Sequence, residues 1–448
     1  MKKFSIQQRR GNYVKELLKS SNWLLGLQWL FFIFTNIVVI PVTVGAAFGL
    51  SQGTIVVLLQ LSFIVTGIAC IVQALLGHKR AIMEGQSGLW WGVILSLAST
   101  ATAQGLQLSE VGGSFSVGII ISGIITVIIG LSGVGPRIAK LFNPGVMGVF
   151  MFLLGCQLIS IFLNGMLGIP FGNEAQHATI NLSISLLSII IAILVAVINI
   201  KGPSSIRRYG LLIGIVVGWI AFYLIFGQQK LVDQSNSASI EIFPLGEPSW
   251  HIGIIMTAVL TGLLNTANTF GALKGTDEMY KNETTSSQYR SSFTITGIFT
   301  STAGLFGLVP YAPYVSSIGF LKQTGIIKRL PFILGGFMFF VMGVIPPLGY
   351  FFSMLPLSIG SAVLFVAYLQ LFNSSLNFFS QIKFTTNNIY RAAVPIFVGV
   401  IIMTFPPSYF ETLPVVLRPL LSNGLLVGIT LALLLENLFN WDREKQRN

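Results

Sequence analysis

Apolar residues run along this chain in unbroken stretches, without the strict alternation of a half-buried strand or the narrow stripe of a surface helix. Trp23–Val44, Thr54–Leu76, Ile180–Ile200, Tyr209–Phe226 and Leu420–Leu438 are each long enough to cross a hydrocarbon core, which is about 30 Å thick. Backbone at that depth must satisfy its own hydrogen bonds, so such runs predict α-helices. Reading the runs between polar breaks gives fourteen spans, at 23–44, 54–77, 87–105, 113–133, 144–164, 180–200, 209–227, 251–271, 291–309, 314–321, 331–350, 353–373, 392–407 and 419–438. The longest connection, from about Gln228 to Ser249, is too short to fold as a domain. Residues 1–22 are polar and basic and lead into a run of spanning length, which is not the pattern of a cleavable signal peptide.

Composition agrees with a polytopic membrane protein. The 448 residues are 53% hydrophobic and 9% charged, with a mean hydropathy of +0.80, whereas soluble domains carry roughly a quarter charged residues. An ordinary soluble enzyme and a disordered chain are both excluded. The net charge of +12, from 26 Lys+Arg against 14 Asp+Glu, would by itself suit a nucleic-acid binder. Its distribution says otherwise. With the N-terminus inside, basic residues fall in the N-terminal tail and in the connections that follow even-numbered spans: Lys79/Arg80, Arg137/Lys140, Lys201/Arg207/Arg208, Lys274/Lys281/Arg290, Lys322/Lys328/Arg329 and Lys383/Arg391. The C-terminal tail adds Arg443, Lys445 and Arg447, and only Lys230 and Arg418 fall on the other side. This is the positive-inside pattern, with both termini cytoplasmic. The charge faces a lipid bilayer, and no nucleic-acid partner is expected.

Two of the fourteen spans are abnormal. Gly85–Gln104 opens with two glycines and closes in small hydroxyl residues, and Gly307–Gly325 carries Pro310 and Pro313 before an apolar piece too short to cross. Irregular backbone at membrane depth is tolerated only where protein buries it or a cavity is lined by it. These are spans three and ten, seven apart, and matched interruptions in two halves point to a transporter binding site. Because seven is odd, the second copy must be inverted. The expected fold class is therefore an all-α polytopic membrane protein with fourteen transmembrane spans as two inverted seven-span repeats, and short discontinuous segments in spans 3 and 10.

Intramembrane charge, the usual pointer to function, is nearly absent. Glu110, Glu174, Asp233, Glu241, Glu247, Asp277, Glu278 and Glu283 lie in connections, and Glu436 lies near the end of span fourteen. Glu84 sits at the cytoplasmic lip of span three, where pairing with Lys79 or Arg80 is the plain reading and proton coupling the functional one. His78, His177 and His251 lie at span ends or in loops, and Cys70 and Cys156 lie in apolar runs. No disulfide framework, metal site, nucleophile triad or phosphate loop is expected, so the chain is not read as an enzyme. A neutral polar set takes the place of charge. Asn265, Asn268 and Thr269 of span eight fall on one helical face. Tyr314, Ser316 and Ser317 surround a helix start after Pro313, where free backbone N–H groups would face a cavity. Gln28 and Asn36 of span one and Trp90 and Trp91 of span three complete the candidates. Amides, hydroxyls and aromatic faces suit a flat, neutral, hydrogen-bonding ligand. Interhelical glue is the alternative role for any one of them.

These residues resemble the nucleobase–cation symporter-2 family, also called the nucleobase–ascorbate or xanthine/uracil permeases. Leu27–Val42 is similar to that family's first helix, with Gln28 and Pro41 at its spacing; Phe142–Leu158 is similar to its fifth span and Pro356–Tyr368 to its twelfth. The span-ten pattern of the family is an acidic residue or Gln, then Asn, any residue, Gly, four of any, then Thr. Gly319 and Thr324 match it, while Ser316 and Ser317 occupy its first two positions. The resemblance covers essentially the whole chain.

The resemblance implies a core domain of spans 1–4 (23–135) and 8–11 (251–350), and a gate domain of spans 5–7 (136–250) and 12–14 (351–440), flanked by cytoplasmic tails at 1–22 and 441–448. It further implies short β-segments in spans three and ten that meet near the bilayer midplane, a homodimer through the gate domains, and a plasma-membrane location. Asn265 and Ser316 stand where the family carries carboxylates, Thr269 where it often has a proton-linked group, Trp90 near its stacking aromatic, and Tyr314 at an aromatic before the span-ten motif. The implied function is a permease for a purine or pyrimidine base, bound between spans 1, 3, 8 and 10, without a cofactor. H⁺ coupling through a remote group such as Glu84, Na⁺ coupling and facilitated diffusion stay open. An anion transporter of the same fold and a transport-inactive nucleobase sensor are the alternatives.

Overall fold

The computed structural model describes residues 19–103, 106–169, 179–207, 209–227, 239–414, 416–439 and 441. The tails up to Leu18 and beyond Trp441, and Glu174, His177, Lys230 and Asp233, lie outside the described residues. The chain is mostly helical. Its main elements are α1 (Ser20–Ile37), α2 (Val39–Ala47), α3 (Gln52–Leu75), β1 (Glu84–Gln86), α4 (Gly88–Ala103), α5 (Leu108–Ser132), α6 (Pro144–Met166), α7 (Leu182–Lys201), α8 (Gly210–Phe226) and α9 (Ile252–Lys274). They continue as α10 (Ser286–Phe306), β2 (Tyr311–Pro313), α11 (Ser317–Thr324), α12 (Arg329–Val344), α13 (Pro346–Ser353), α14 (Leu357–Tyr368), α15 (Gln370–Phe379), α16 (Tyr390–Thr404) and α17 (Gly424–Leu438). Helix occupies part of every apolar run. Seven described helices, counting the α1–α2 and α14–α15 stretches as one each, are long and apolar enough to cross a membrane, or eight if α12 and α13 are joined. The chain is a multi-pass membrane protein.

The interruptions have local causes. The expected span 331–350 stops at Val344, and α13 leaves it at 89°. Ile345 is extended ahead of Pro346, because the proline ring disfavours helical backbone in the residue before it. Helix starts are fixed by side chains: Asn143 accepts from the Val146 N–H beside Pro144, and Thr285 and Gln288 form a capping box. The two short β-segments expected at the breaks of spans three and ten are present and pair as a two-stranded sheet, β1 with β2.

Two packing groups surround this sheet. In one, α5 packs on α9 and α10, and α12 packs on α1 and α3; in the other, α6 packs on α14, α15, α16 and α17, and α14 packs on α7 and α8. Small residues permit the closest approaches. A Cβ built on Gly123 of α5 would lie 2.7 Å from the Gly297 carbonyl of α10, and one on Gly297 would lie 2.6 Å from the Gly123 carbonyl.

Each group contains an arginine fastened by a carboxylate. Arg80, in the connection after α3, donates to the Leu273 carbonyl (2.7 Å), Thr276 (2.9 Å), Asp277 (2.7 Å) and the Asn282 carbonyl (2.8 Å), and its guanidinium lies 5.1 Å from the Tyr280 ring centroid. It thus ties that connection to the C-terminal end of α9, where the helix dipole favours a cation. Arg391 of α16 makes a bidentate pair with Glu436 of α17 at 2.5 Å for each bond, and Asn143 donates to the same carboxylate at 2.8 Å. Beside Arg80, the His78 imidazole is buried and its Nδ1 accepts the Arg80 N–H. Burial, and then the Arg80 charge, push its pKa down to about 3.

Two outcomes follow from these anchors. Arg80→Met should lower stability by about 3 kcal/mol, the cost of leaving a largely buried partner set without its cation, read as a fall in melting temperature in detergent. The His78 value is lowered on folding, so the neutral ring's contribution is present above pH 6.5 and is lost as pH falls toward 3. His78→Gln should therefore flatten the decline of melting temperature between pH 7 and 5, and an unchanged slope would remove His78 as its cause.

Candidate functional site

The sheet is built from the two interrupted spans. β1 and β2 pair antiparallel in the register Glu84 with Pro313, Gly85 with Ala312 and Gln86 with Tyr311. The ladder extends at both ends: the Ser87 N–H donates to the Pro310 carbonyl and the Tyr314 N–H to the Met83 carbonyl, each at 2.8 Å. Each strand runs into a helix, α4 after Ser87 and α11 after Ser316, so the first-turn N–H groups of both helices lie beside the sheet.

Asn265 of α9 joins the two strands. Its Nδ2 donates to the Tyr311 carbonyl at 3.0 Å, and its Oδ1 accepts from the Ser87 hydroxyl at 2.7 Å and from Asn268 Nδ2 at 3.0 Å. Just beyond β2, Ser317 Oγ accepts the Met83 N–H at 3.1 Å, while the Tyr314 hydroxyl donates to the Gln86 carbonyl. Tyr368 of α14 lies near Tyr314, which brings the second packing group up to the strands. Ser316 is exposed and Asn268 half-buried next to this network. No Lys or Arg takes part in it.

A narrow cavity lies behind the sheet, lined by Trp90, Ser122, Thr126, Gly262, Asn265 and Thr269 with Phe293, Thr296 and Thr300. Its volume of about 10 Å³ is the space of a single water.

Comparison with known proteins decides the family. A family model described as a permease family, the xanthine/uracil permeases, matches residues 20–408. The chain belongs to the xanthine/uracil permease family. Among its relatives, YwdJ of Bacillus subtilis is 28% identical over 94% of this chain and 97% of its own. The xanthine permease of Bacillus subtilis is 24% identical, covering 93% of each chain. The uric acid transporter UacT of Escherichia coli is 24% identical over 97% of this chain and 90% of its own. Among solved structures, the transmembrane domain of the cyanobacterial bicarbonate transporter BicA aligns with a TM-score of 0.62 at 16% identity, over 91% of this chain and 96% of that one. The murine anion transporter Slc26a9 aligns with a TM-score of 0.57 at 12% identity, over 93% and 68%. The structural matches show a shared fold. As a member of the permease family, the chain is a transporter and not an enzyme.

Within this permease the structure brings Asn265, Asn268, Tyr314 and Ser317 together around the strands and sets the others apart. Thr269 is buried and, with Asn265, lines the small cavity. Gln28 is half-buried on α1 and outside the Asn265 network, with its Oε1 unpartnered among the described residues. Trp90 is fully buried, with its ring edge-on to Phe115 at 5.7 Å, so a stacking role for it has no room. Gly88, one residue past the Ser87 that Asn265 holds, points at Leu158 and Tyr368 instead: a Cβ there would lie 3.1 Å from Leu158 Cδ1 and 3.8 Å from the Tyr368 hydroxyl.

Glu84 requires a larger correction. It does not pair with Lys79 or Arg80 at an interface. Arg80 is held by Asp277, and Glu84 is fully buried in β1, where Gln73 Nε2 donates to it at 3.2 Å and Thr296 at 2.7 Å. Ser87 and Tyr368 were absent from the sequence candidates; a serine before the glycine at the span-three break, and a tyrosine closing the span-twelve stretch, were the available signals.

Replacing Asn265 with Ala should leave the Ser87 hydroxyl and the Tyr311 carbonyl without their partner, at a cost of about 2 kcal/mol. The readout is melting temperature with and without ligand. A variant as stable as the native chain would show that Asn265 does not hold the strands.

Proposed function

We propose that this permease is a secondary transporter that moves a purine or pyrimidine base across the plasma membrane by alternating access. The observation that carries the reading is the neutral network of Asn265, Asn268, Ser87 and Tyr314 around two paired strand ends. The half-buried Asn268 side chain, the exposed Ser316 hydroxyl and the first-turn N–H groups of α4 offer both donors and acceptors to the edges of a flat heterocycle. Xanthine and uric acid in the names of the relatives favour the purine side of that class.

The two packing groups support a division into a core of spans 1–4 and 8–11 and a gate of spans 5–7 and 12–14. The spans number fourteen in two inverted repeats, with β1 and β2 as the equivalent interruptions. The base sits between spans 1, 3, 8 and 10 where they meet the gate, with Asn268, Ser316 and Tyr314 closest to it and Tyr368 on the gate side. Termini face the cytoplasm, and apolar gate helices such as α7, with Ile189, Ile190 and Ile193 exposed, suit lipid or a second copy. An anion cargo fits less well, because no cation takes part in the network around the strands.

Purified protein in liposomes should exchange labelled xanthine, hypoxanthine, uric acid or uracil against the same unlabelled base inside. Gly88→Leu, which fills the space between α4 and Tyr368, should abolish that exchange. Absence of exchange for every base, with bicarbonate or sulfate flux in its place, would replace this reading with the anion one.

A further inference from the structure

Glu84 is the one carboxylate on β1, and its surroundings are unusual for an acid. It is 0% exposed, and the side chains bonded to it are neutral: Gln73 from α3 and Thr296 from α10. The titratable groups facing it are a thiol and a phenol. Cys70 of α3 donates its thiol to the Glu84 carbonyl at 3.3 Å, and Tyr311 of β2 is bonded to Thr66 at 3.1 Å. From α1, the side chain nearest Gly85 is Ile37. The nearest cation along the chain, Arg80, is committed to Asp277. A buried carboxylate without a cation is costly when ionised and cheap when protonated.

The same contacts accept either form. Gln73 Nε2 has three acceptors within reach, Glu84 at 3.2 Å, the Ser292 carbonyl at 3.2 Å and Thr296 Oγ1 at 3.1 Å, but only two hydrogens. With Glu84 ionised, Thr296 and Gln73 both donate to it. With Glu84 protonated, its O–H can donate to Thr296 Oγ1 across the same 2.7 Å, and the Gln73 amide serves the Ser292 carbonyl. Thr296 in turn lines the water-sized cavity, whose other walls include Asn265 and Thr269. The buried Ser122 hydroxyl, on that same cavity, has no hydrogen-bond partner among the described residues. Glu84 thus has a polar route to Asn265 as well as a mechanical one, since β1 carries both Glu84 and the strand end that Asn265 grips.

We propose that Glu84 is the proton carrier of this permease: its carboxylate binds one proton on one side of the membrane, forming the neutral acid, and releases it on the other side for each base moved. This rests on the base-permease reading and adds the coupling ion to it. The chain of Glu84, Thr296 and the cavity makes the protonation state of β1 sensitive to occupancy at Asn265.

The test uses the full chain in liposomes with a trapped pH-sensitive dye and the four labelled bases named above. In the native protein, adding a transported base outside should move protons inward with it, and a one-unit pH step should support about tenfold accumulation. Glu84→Gln, which keeps the size and the amide-compatible contacts, should abolish both the proton signal and the accumulation while retaining base-for-base exchange. Glu84→Asp should keep proton movement. Base exchange in the native protein without any proton signal would overturn the coupling and leave the permease reading standing; no exchange of any base would overturn the permease reading itself. A proton signal that persists in Glu84→Gln assigns the carrier to another group and also overturns the proposal. If Glu84→Gln loses exchange as well, while running as a folded protein, Glu84 serves binding or folding and the proposal fails. If that variant does not fold, the Thr296→Val variant decides: an unchanged proton-to-base ratio at every pH overturns the relay, and a shifted pH dependence supports it.

Discussion

Unpaired backbone inside a membrane is the constraint on which the rest of this structure depends. Two spans abandon helical hydrogen bonding at Glu84–Gln86 and Tyr311–Pro313, and neither could do so alone, because each exposed N–H and C=O at that depth costs several kcal/mol. They solve the problem together, as three antiparallel residue pairs extended by Ser87 with Pro310 and by Tyr314 with Met83. Side chains then close what the ladder leaves open. Asn265 takes the Tyr311 carbonyl and the Ser87 hydroxyl, and Tyr314 takes the Gln86 carbonyl.

The functional geometry follows from that repair. Pairing two strands from distant parts of the chain brings two helix starts to one place, and helix starts carry donors that need partners. The polar groups that position the strands are amides and hydroxyls, so the place they create is polar but uncharged. Cations are kept to the periphery of each packing group, in Arg80 with Asp277 and Arg391 with Glu436, where they fasten helix ends. Glu84 alone brings an acid to the strands, and it does so among neutral neighbours.

Much of this was legible in the sequence. Apolar runs marked where helices lie, and the glycines after Glu84 and the prolines around Tyr311 marked the two breaks, since those residues act through local backbone chemistry. Asn265 was found because amides are scarce inside apolar runs. What failed were inferences from neighbourhood along the chain. The plain reading of Glu84 paired it with Lys79 or Arg80, but β1 carries it inward while Arg80 turns to the end of α9. Trp90 was chosen because large aromatics suggest stacking; on the helix that starts at Gly88 the tryptophan turns into the core against Phe115. Tyr368 meets Tyr314 only through the tertiary fold, so no spacing in the sequence announces it. The kink at Ile345 was present in the Pro346–Pro347 pair and was overridden by the apolar run around it.

Hydrogen–deuterium exchange of the detergent-solubilised protein, with and without saturating xanthine, uric acid, hypoxanthine or uracil, tests the central claim most directly. The account expects one or more of these bases to slow exchange at residues 83–91 and 311–320 together, because the base closes over amides at both strand ends. Protection confined to other segments, or at one strand end without the other, or no protection by any base, would contradict a base site built on the paired strands.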